Sequence, residues 1–211
     1  MAIMAHFGGE AGSLGERWYT PGMKLWGSVG FLSALVVAFI LCGCRHSGTV
    51  AGSRIKVKEG LDQDVAKVDL HPKATTVEDI AGVRMPRAAS GNLEVDFQDR
   101  RVAPFETSTW TVDAHIRSVK LMPDRDYYME LEGKSGKETV VEVPDPDLCK
   151  GSPLEPQIAE ARREIQERYH PTTTKKTLND QATVTGVGFL GWRGRPTTGA
   201  HLMPGLGFKF N

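Results

Sequence analysis

"WTVDAHIRSVKL", residues 110–121, decides the reading of this chain. Trp110, Val112, Ala114 and Ile116 alternate with Thr111, Asp113, His115 and Arg117, the period of two that marks a strand with one buried face. After Ser118 the phase slips, and Val119 and Leu121 continue the apolar set. A single slip in a clean alternation predicts a bulge that bends the strand, as strands of small barrels must bend.

Downstream, "MPDRD" (122–126) supplies turn chemistry through Pro123 and two aspartates. In "YYMELEG", Tyr127, Met129 and Leu131 fall on one side and Tyr128, Glu130 and Glu132 on the other. "KSGK" is a tight turn, and "ETVVEV" adds a third strand with Val141 and Val143 inward. Pro144 and Pro146 then break the sheet, because neither can donate a ladder hydrogen bond. A helix follows, with Ser152 as N-cap, Pro153 at the first helical position and Glu155 completing a capping box. Leu154, Ile158, Ala161 and Ile165 form its apolar stripe, and Tyr169, His170 and Pro171 end it. "TTTKKTLNDQ" is expected as a polar loop, "ATVTGVGFLGW" as a glycine-rich strand where a second backbone can approach closely, and "AHLMPGLGFKF" as a last strand with Pro204 at an edge or bulge.

Three strands, a helix and two strands predict a mainly β domain with one helix (α+β) over residues 97–211. The expected architecture is a five-stranded OB-like, partly open barrel with the helix between strands three and four. A β-sandwich is the rival, though it has no use for the well-capped helix.

Upstream, residues 44–96 carry no sustained period of 2 or 3.6 and mix charges with Gly, Ser, Thr and single apolar residues. Such a stretch is expected to be a flexible tether holding at most a short strand or a turn of helix, with His71 in a solvated loop. Before it, Leu25 to Leu41 contains no charge, follows Lys24, and is most apolar from Val29 to Leu41. A basic flank and a short apolar run mark a secretory signal, shorter than the roughly 20 residues a spanning helix needs. The run ends in Leu41-Cys42-Gly43-Cys44, which resembles the bacterial lipobox: an aliphatic residue three positions before the cysteine and a small one directly before it. That resemblance implies a signal peptide over residues 1–43 and a lipid on Cys44, which anchors the chain in the membrane with its domain outside the cytoplasm. The alternative is an uncleaved anchor helix. Residues 1–22 are glycine-rich, unlike a signal's short basic start, and suggest an over-long gene model with Met23 as the natural beginning. Arg45 is not the aspartate that resembles an inner-membrane retention signal, which favours the outer membrane where the source has one.

Lysine plus arginine and aspartate plus glutamate each total 26. Removing residues 1–43 takes two of each sign (Arg17 and Lys24; Glu10 and Glu16), so the mature chain stays neutral and nucleic acid is an unfavoured partner. Cys149 cannot form an internal disulfide once Cys42 is removed and Cys44 acylated, and is expected as a part-buried small residue rather than a nucleophile.

Trp192 beside Arg193 and Arg195 in "GWRGRP" is the candidate binding loop, with Tyr128 as a further contact, for a saccharide, peptide or protein partner in the envelope. A solvated basic loop is the plain alternative. Asp124, Asp126 and Glu142 could gather as hard oxygen ligands for Ca²⁺, but Asp-x-Asp in a turn more commonly makes local hydrogen bonds, and neither metal nor cofactor is expected. A hydrolase acting on phosphodiesters or wall polymer is the second function, with Glu142 as base and Arg162, Arg193 or Arg195 neutralising a phosphate; Arg162 could equally brace the helix. It requires Glu142, Arg162 and the Trp192 loop in one cleft.

Taken together, Trp110 and Val112; Asp124, Asp126 and Tyr127; Glu142, Pro144 and Pro146; Ala161 and Arg162; and Val184 through Phe189 resemble a family of uncharacterised exported bacterial proteins with a small OB-like domain, over about residues 100–206. The resemblance implies the fold and carries no activity. Arg125 stands where that pattern has glycine, and Tyr128 and Met203 where it has histidine. His201 would share a strand face with Met203 and could partly substitute.

Overall fold

A computed structural model describes residues 54–87, 96–191 and 199–211. Its elements in chain order are α1 (Ile55–Glu59), β1 (Asp69–Ala74), α2 (Val77–Ala81), β2 (Ser108–Leu121), β3 (Tyr127–Glu132), β4 (Glu138–Val143), α3 (Glu155–Tyr169), β5 (Lys176–Leu190) and β6 (Ala200–Phe210). The domain is mostly β with few helices.

The strands form one sheet in the order β1-β2-β3-β4-β6-β5, and β5 returns to pair with β2. Strands β2 to β6 therefore close into a ring, antiparallel except for the β4–β6 contact at Val141 and Leu202. Long β2 makes closure possible, because it pairs with β3 along one edge and with β5 along the other. Against β3 its register steps two residues for one between Ile116 and Ser118, so the bulge lies at Arg117, one residue before the phase slip read from the sequence, whereas against β5 the extra residue is on β5. Val112, Ile116, Val119, Met129, Leu131, Val141, Val143, Val184 and Leu202 are buried together inside the ring. Gly188 of β5 runs against Phe105, where a Cβ would collide with the Phe105 carbonyl, so the glycine there permits the close backbone approach expected of this strand.

Helix α3 buries Leu154, Ile158, Ala161, Ile165 and Tyr169 in the same core. The stripe is the one its sequence predicts, but the start differs. The α-helix begins at Glu155, and Ser152 Oγ accepts from Leu154 N at 3.1 Å in the preceding turn. Glu155 reaches back to Gly151 N at 3.0 Å rather than to Ser152, so the reciprocal cap is shifted by one residue.

Two sequence expectations need correction. The polar stretch expected as a loop ends early: β5 begins at Lys176, where it pairs with the C-terminal half of β2 and is largely exposed, so alternation gave no signal. The expected flexible tether does not extend over residues 54–87, which form α1, β1 and α2 and bury Val57, Val77 and Ile80. Each element supplies only one or two apolar side chains, and buried ion pairs supplement them. Arg101 meets Asp62 at 2.7 Å with both side chains wholly inaccessible. Glu106, also inaccessible, accepts from Arg54 Nη1 at 2.6 Å and Nη2 at 2.8 Å, from Val102 N at 2.6 Å and from Leu190 N at 2.7 Å. Four bonds, two of them from a guanidinium, satisfy this buried carboxylate.

Strand β1 lies outside the ring, parallel to the start of β2. Its outer edge is blunted by Pro72, Lys73 and a register shift between Asp69 and Lys73, devices that discourage pairing with another chain. His71 is on this strand rather than in a loop, yet fully solvated as expected, with Nδ1 3.0 Å from Asp69. Among the described residues no helix is long and apolar enough to cross a membrane.

Candidate functional site

Alternation in β3 points Tyr127, Met129 and Leu131 into the ring and leaves Asp126 and Tyr128 on its outer side. Tyr128 lies opposite Glu142 in the β3–β4 register, and the β4–β6 contact at Leu202 puts His201 and Met203 on that outer side as well. This face is not open. Tyr128, Asp126, Glu142, His201 and Met203 are all buried, and α1 lies over them.

Lys58 of α1 reaches into the centre of the face. Its Nζ is 2.8 Å from Asp126 Oδ2, 3.0 Å from Asp124 Oδ2 and 3.9 Å from Glu142 Oε2. His201 Nε2 lies 4.0 Å from Glu142 Oε1, and its ring tilts against Phe189 with centroids 5.0 Å apart. Burial opposes the charge on Lys58, but the carboxylates of Asp126 and Glu142 outweigh it and hold the amine above its ordinary pKa. Burial also raises the Asp126 carboxyl, which Lys58 partly offsets. Glu59, half-buried beside them, is pushed up to about 7 by burial and by Asp126.

The three acids proposed as a hard-cation set do converge: one ligand atom from each lies within 4.8 Å of the others. The residues do not fit a metal with Lys58 in place, because its ammonium sits among the same three carboxylates, at hydrogen-bond distance from Asp124 and Asp126. Chemically the arrangement is a fixed cation held by two buried carboxylates and the exposed Asp124, with the half-buried Glu59 beside them.

Arg162 braces. It donates to Val143 O at 2.9 Å and to Arg125 O at 2.7 Å, and its guanidinium stacks 3.7 Å from the Tyr127 ring centroid. These bonds fasten α3 to β4 and to the β2–β3 turn. Cys149 is a buried free thiol, pushed up to about 12 by burial and then by nearby carboxylates, which makes it a packing residue. Trp192, Arg193, Arg195 and Cys44 lie outside the described residues.

Sequence reasoning found the Asp-x-Asp turn and Glu142 but missed Lys58, Arg54 and Glu106. None belongs to a recognisable motif, and the partner lies more than 50 residues away for Arg54–Glu106 and for Lys58–Asp124. Only the close packing of Arg54, Lys56 and Lys58 hinted at a basic segment seeking acids.

No protein-family model matches the chain, and no curated protein does. Among solved structures, an asparaginyl-tRNA synthetase of Entamoeba histolytica is similar at 11% identity with a TM-score of 0.32, over 52% of this chain and 22% of that one. A likeness that slight carries no argument about fold or function.

Proposed function

We propose that this chain is a lipid-anchored protein of the bacterial cell envelope whose OB-like domain binds a saccharide, peptide or protein partner without catalysing a reaction. The observation that carries the reading is the apolar run that ends in Leu41-Cys42-Gly43-Cys44, ten residues before Arg54, the first described residue. With lipid on Cys44, the lipid and Arg54 are ten residues apart, which bounds their separation at about 36 Å. The domain then works close to the membrane surface that holds the lipid, and the outer membrane is favoured by Arg45.

The ring order, the parallel β4–β6 contact and the position of α3 between β4 and β5 support the OB-like plan, and with it the exported family that the sequence resembles. The hydrolase reading is less well supported. Glu142 is buried beneath Lys58, and Arg162 spends two of its nitrogens on backbone carbonyls.

Labelled palmitate fed to bacteria that express the full chain should appear in the protein and be lost in Cys44→Ala. Unchanged fractionation of that variant, with no label in either, would remove the anchor. Thermal shifts with wall fragments and oligosaccharides then test binding, since a ligand at 100 times its dissociation constant stabilises by about 2.7 kcal/mol.

A further inference from the structure

The outer face of β3, β4 and β6 is covered by this chain's own residues 54–60, and the manner of covering is that of a bound peptide. Val57 is completely buried, in a small cluster with Phe189 and Met203 that stands apart from the main core. Four residues apart on the same segment, Arg54 and Lys58 sit in separate acidic cradles, Glu106 for the first and Asp124, Asp126 and Glu142 for the second. Ile55 faces solvent, and Lys56 reaches outward to Asp99. Among the described residues, Val57, Arg54 and Lys58 are the side chains that enter the face, and Arg101 Nη2 adds a bond to Val57 O at 3.0 Å.

Both ends of the segment are left-handed. Arg54 has φ 44°, a conformation that costs any residue with a Cβ, and Gly60 has φ 67°, where a Cβ would stand 2.5 Å from Ser152 Oγ. The Arg54 side chain does not cap the first turn of α1. The segment is a short, strained strap clamped by charge, in contrast to the apolar packing of the ring beneath it.

We infer that this face is a recognition site for a cationic peptide segment and that residues 54–60 are its resident occupant, which a partner displaces. The segment recognised has an aliphatic residue directly before a lysine and an arginine four positions before that lysine. The lysine would take the Asp124–Asp126–Glu142 cradle, the aliphatic residue the Phe189–Met203 pocket, and the arginine would take Glu106. This rests on the reading of the domain as a binding module and names its face and the class of its partner. It also explains why Tyr128, expected at a ligand contact, is buried in the closed form.

The test uses the full chain purified in detergent, as wild type and as the double variant Val57→Ala/Lys58→Ala. The probe is a fluorescent peptide with the sequence of residues 54–61, RIKVKEGL. The variant should bind it at least tenfold more tightly than wild type does, and replacement of the second lysine of the peptide by alanine should remove most of that binding. A variant that keeps its circular dichroism and takes up no peptide would overturn the proposal. Hydrogen exchange on wild type decides independently of whether the variant folds. The Leu61 amide, bonded to Lys56 O at 2.7 Å, should exchange at least a hundredfold faster than the amides of β3. Exchange of both at one rate would show that the strap opens only on global unfolding and is no occupant. Neither readout involves the acyl group, so peptide uptake without palmitate labelling would keep the strap and remove the anchor.

Discussion

Arg54 and Glu106, 52 positions apart, face each other at 2.6 Å with 2% and 0% of their side chains accessible. The pair joins the first described residue of the N-terminal segment to the short turn that leads into β2. Breaking a buried pair leaves an uncompensated charge and costs about 3–5 kcal/mol. In Glu106→Ala the backbone amides of Val102 and Leu190 lose their acceptor too. Arg54→Met and Glu106→Ala should each lower the melting temperature by about 10 °C, since about 1 kcal/mol corresponds to 2–4 °C in a domain of this size. The double variant should lose less than the sum of the two, as a thermal melt of all four proteins would reveal.

Lys58 offsets three carboxylates, so its removal should make stability pH-dependent in a defined direction. In Lys58→Met the Asp126 carboxyl, already raised by burial, loses the ammonium that holds it down and rises further. A carboxyl whose folded pKa lies above its unfolded value binds protons on folding, so its stabilising contribution is present at acid pH and lost as pH rises. Relative to wild type, Lys58→Met should be destabilised by about 3 kcal/mol at pH 7 and by much less near pH 4. Urea melts at the two pH values measure this; an equal deficit at both would mean that packing, and not charge, is what Lys58 contributes.

Glu59 gives wild type a pH dependence of the same sign. Its carboxyl is raised from 4.5 to about 7, so the folded chain holds a proton there that the unfolded chain releases near 4.5. The stabilisation is complete below 4.5 and disappears as pH rises through 7. One unit corresponds to about 1.4 kcal/mol, and with solvent screening of a half-buried group the loss should be about 1–2 kcal/mol. Glu59→Gln should remove that slope between pH 5 and 7.5, which a series of melts across the window would register.

The ring was legible in the sequence because its information is local. Val112, Ala114 and Ile116 announce β2 by alternation, Leu154, Ile158, Ala161 and Ile165 announce α3 by spacing, and all seven are buried where those periods put them. The segment 54–87 carries no such period. Val57 is its one buried apolar side chain before Val77, and Arg54, Asp62 and Lys58 are placed by partners far along the chain. A propensity argument counts those charges as evidence for solvation. Only the three-dimensional pairing turns them into anchors, and that pairing also closes the face on which Tyr128 was expected to meet a ligand.

Arg162 separates the binding reading from the hydrolytic one. Its guanidinium joins Val143 O, Arg125 O and the face of Tyr127, so Arg162→Ala should cost about 1–3 kcal/mol through lost hydrogen bonds to a charged group. Lysine cannot span both carbonyls and should recover only part of that stability. If Arg162 instead neutralises a phosphate, the variants would keep their melting temperatures and lose hydrolysis of a phosphodiester such as bis-p-nitrophenyl phosphate.

Thiol counting ties the anchor to the fold. In a processed chain Cys42 has left with the signal peptide, and Cys44 is blocked as a thioether. Cys149, the remaining thiol, is buried and pushed up to about 12, so it is neither accessible nor ionised at neutral pH. The mature protein should therefore show no thiol reactive to a disulfide reagent when native and one in denaturant. An uncleaved, unacylated chain has all three cysteines of the sequence available in denaturant. The native count isolates the second claim: slow modification of Cys149, at the rate of global unfolding, fits a packing residue, whereas fast modification in the folded state would put an open path between solvent and the start of α3.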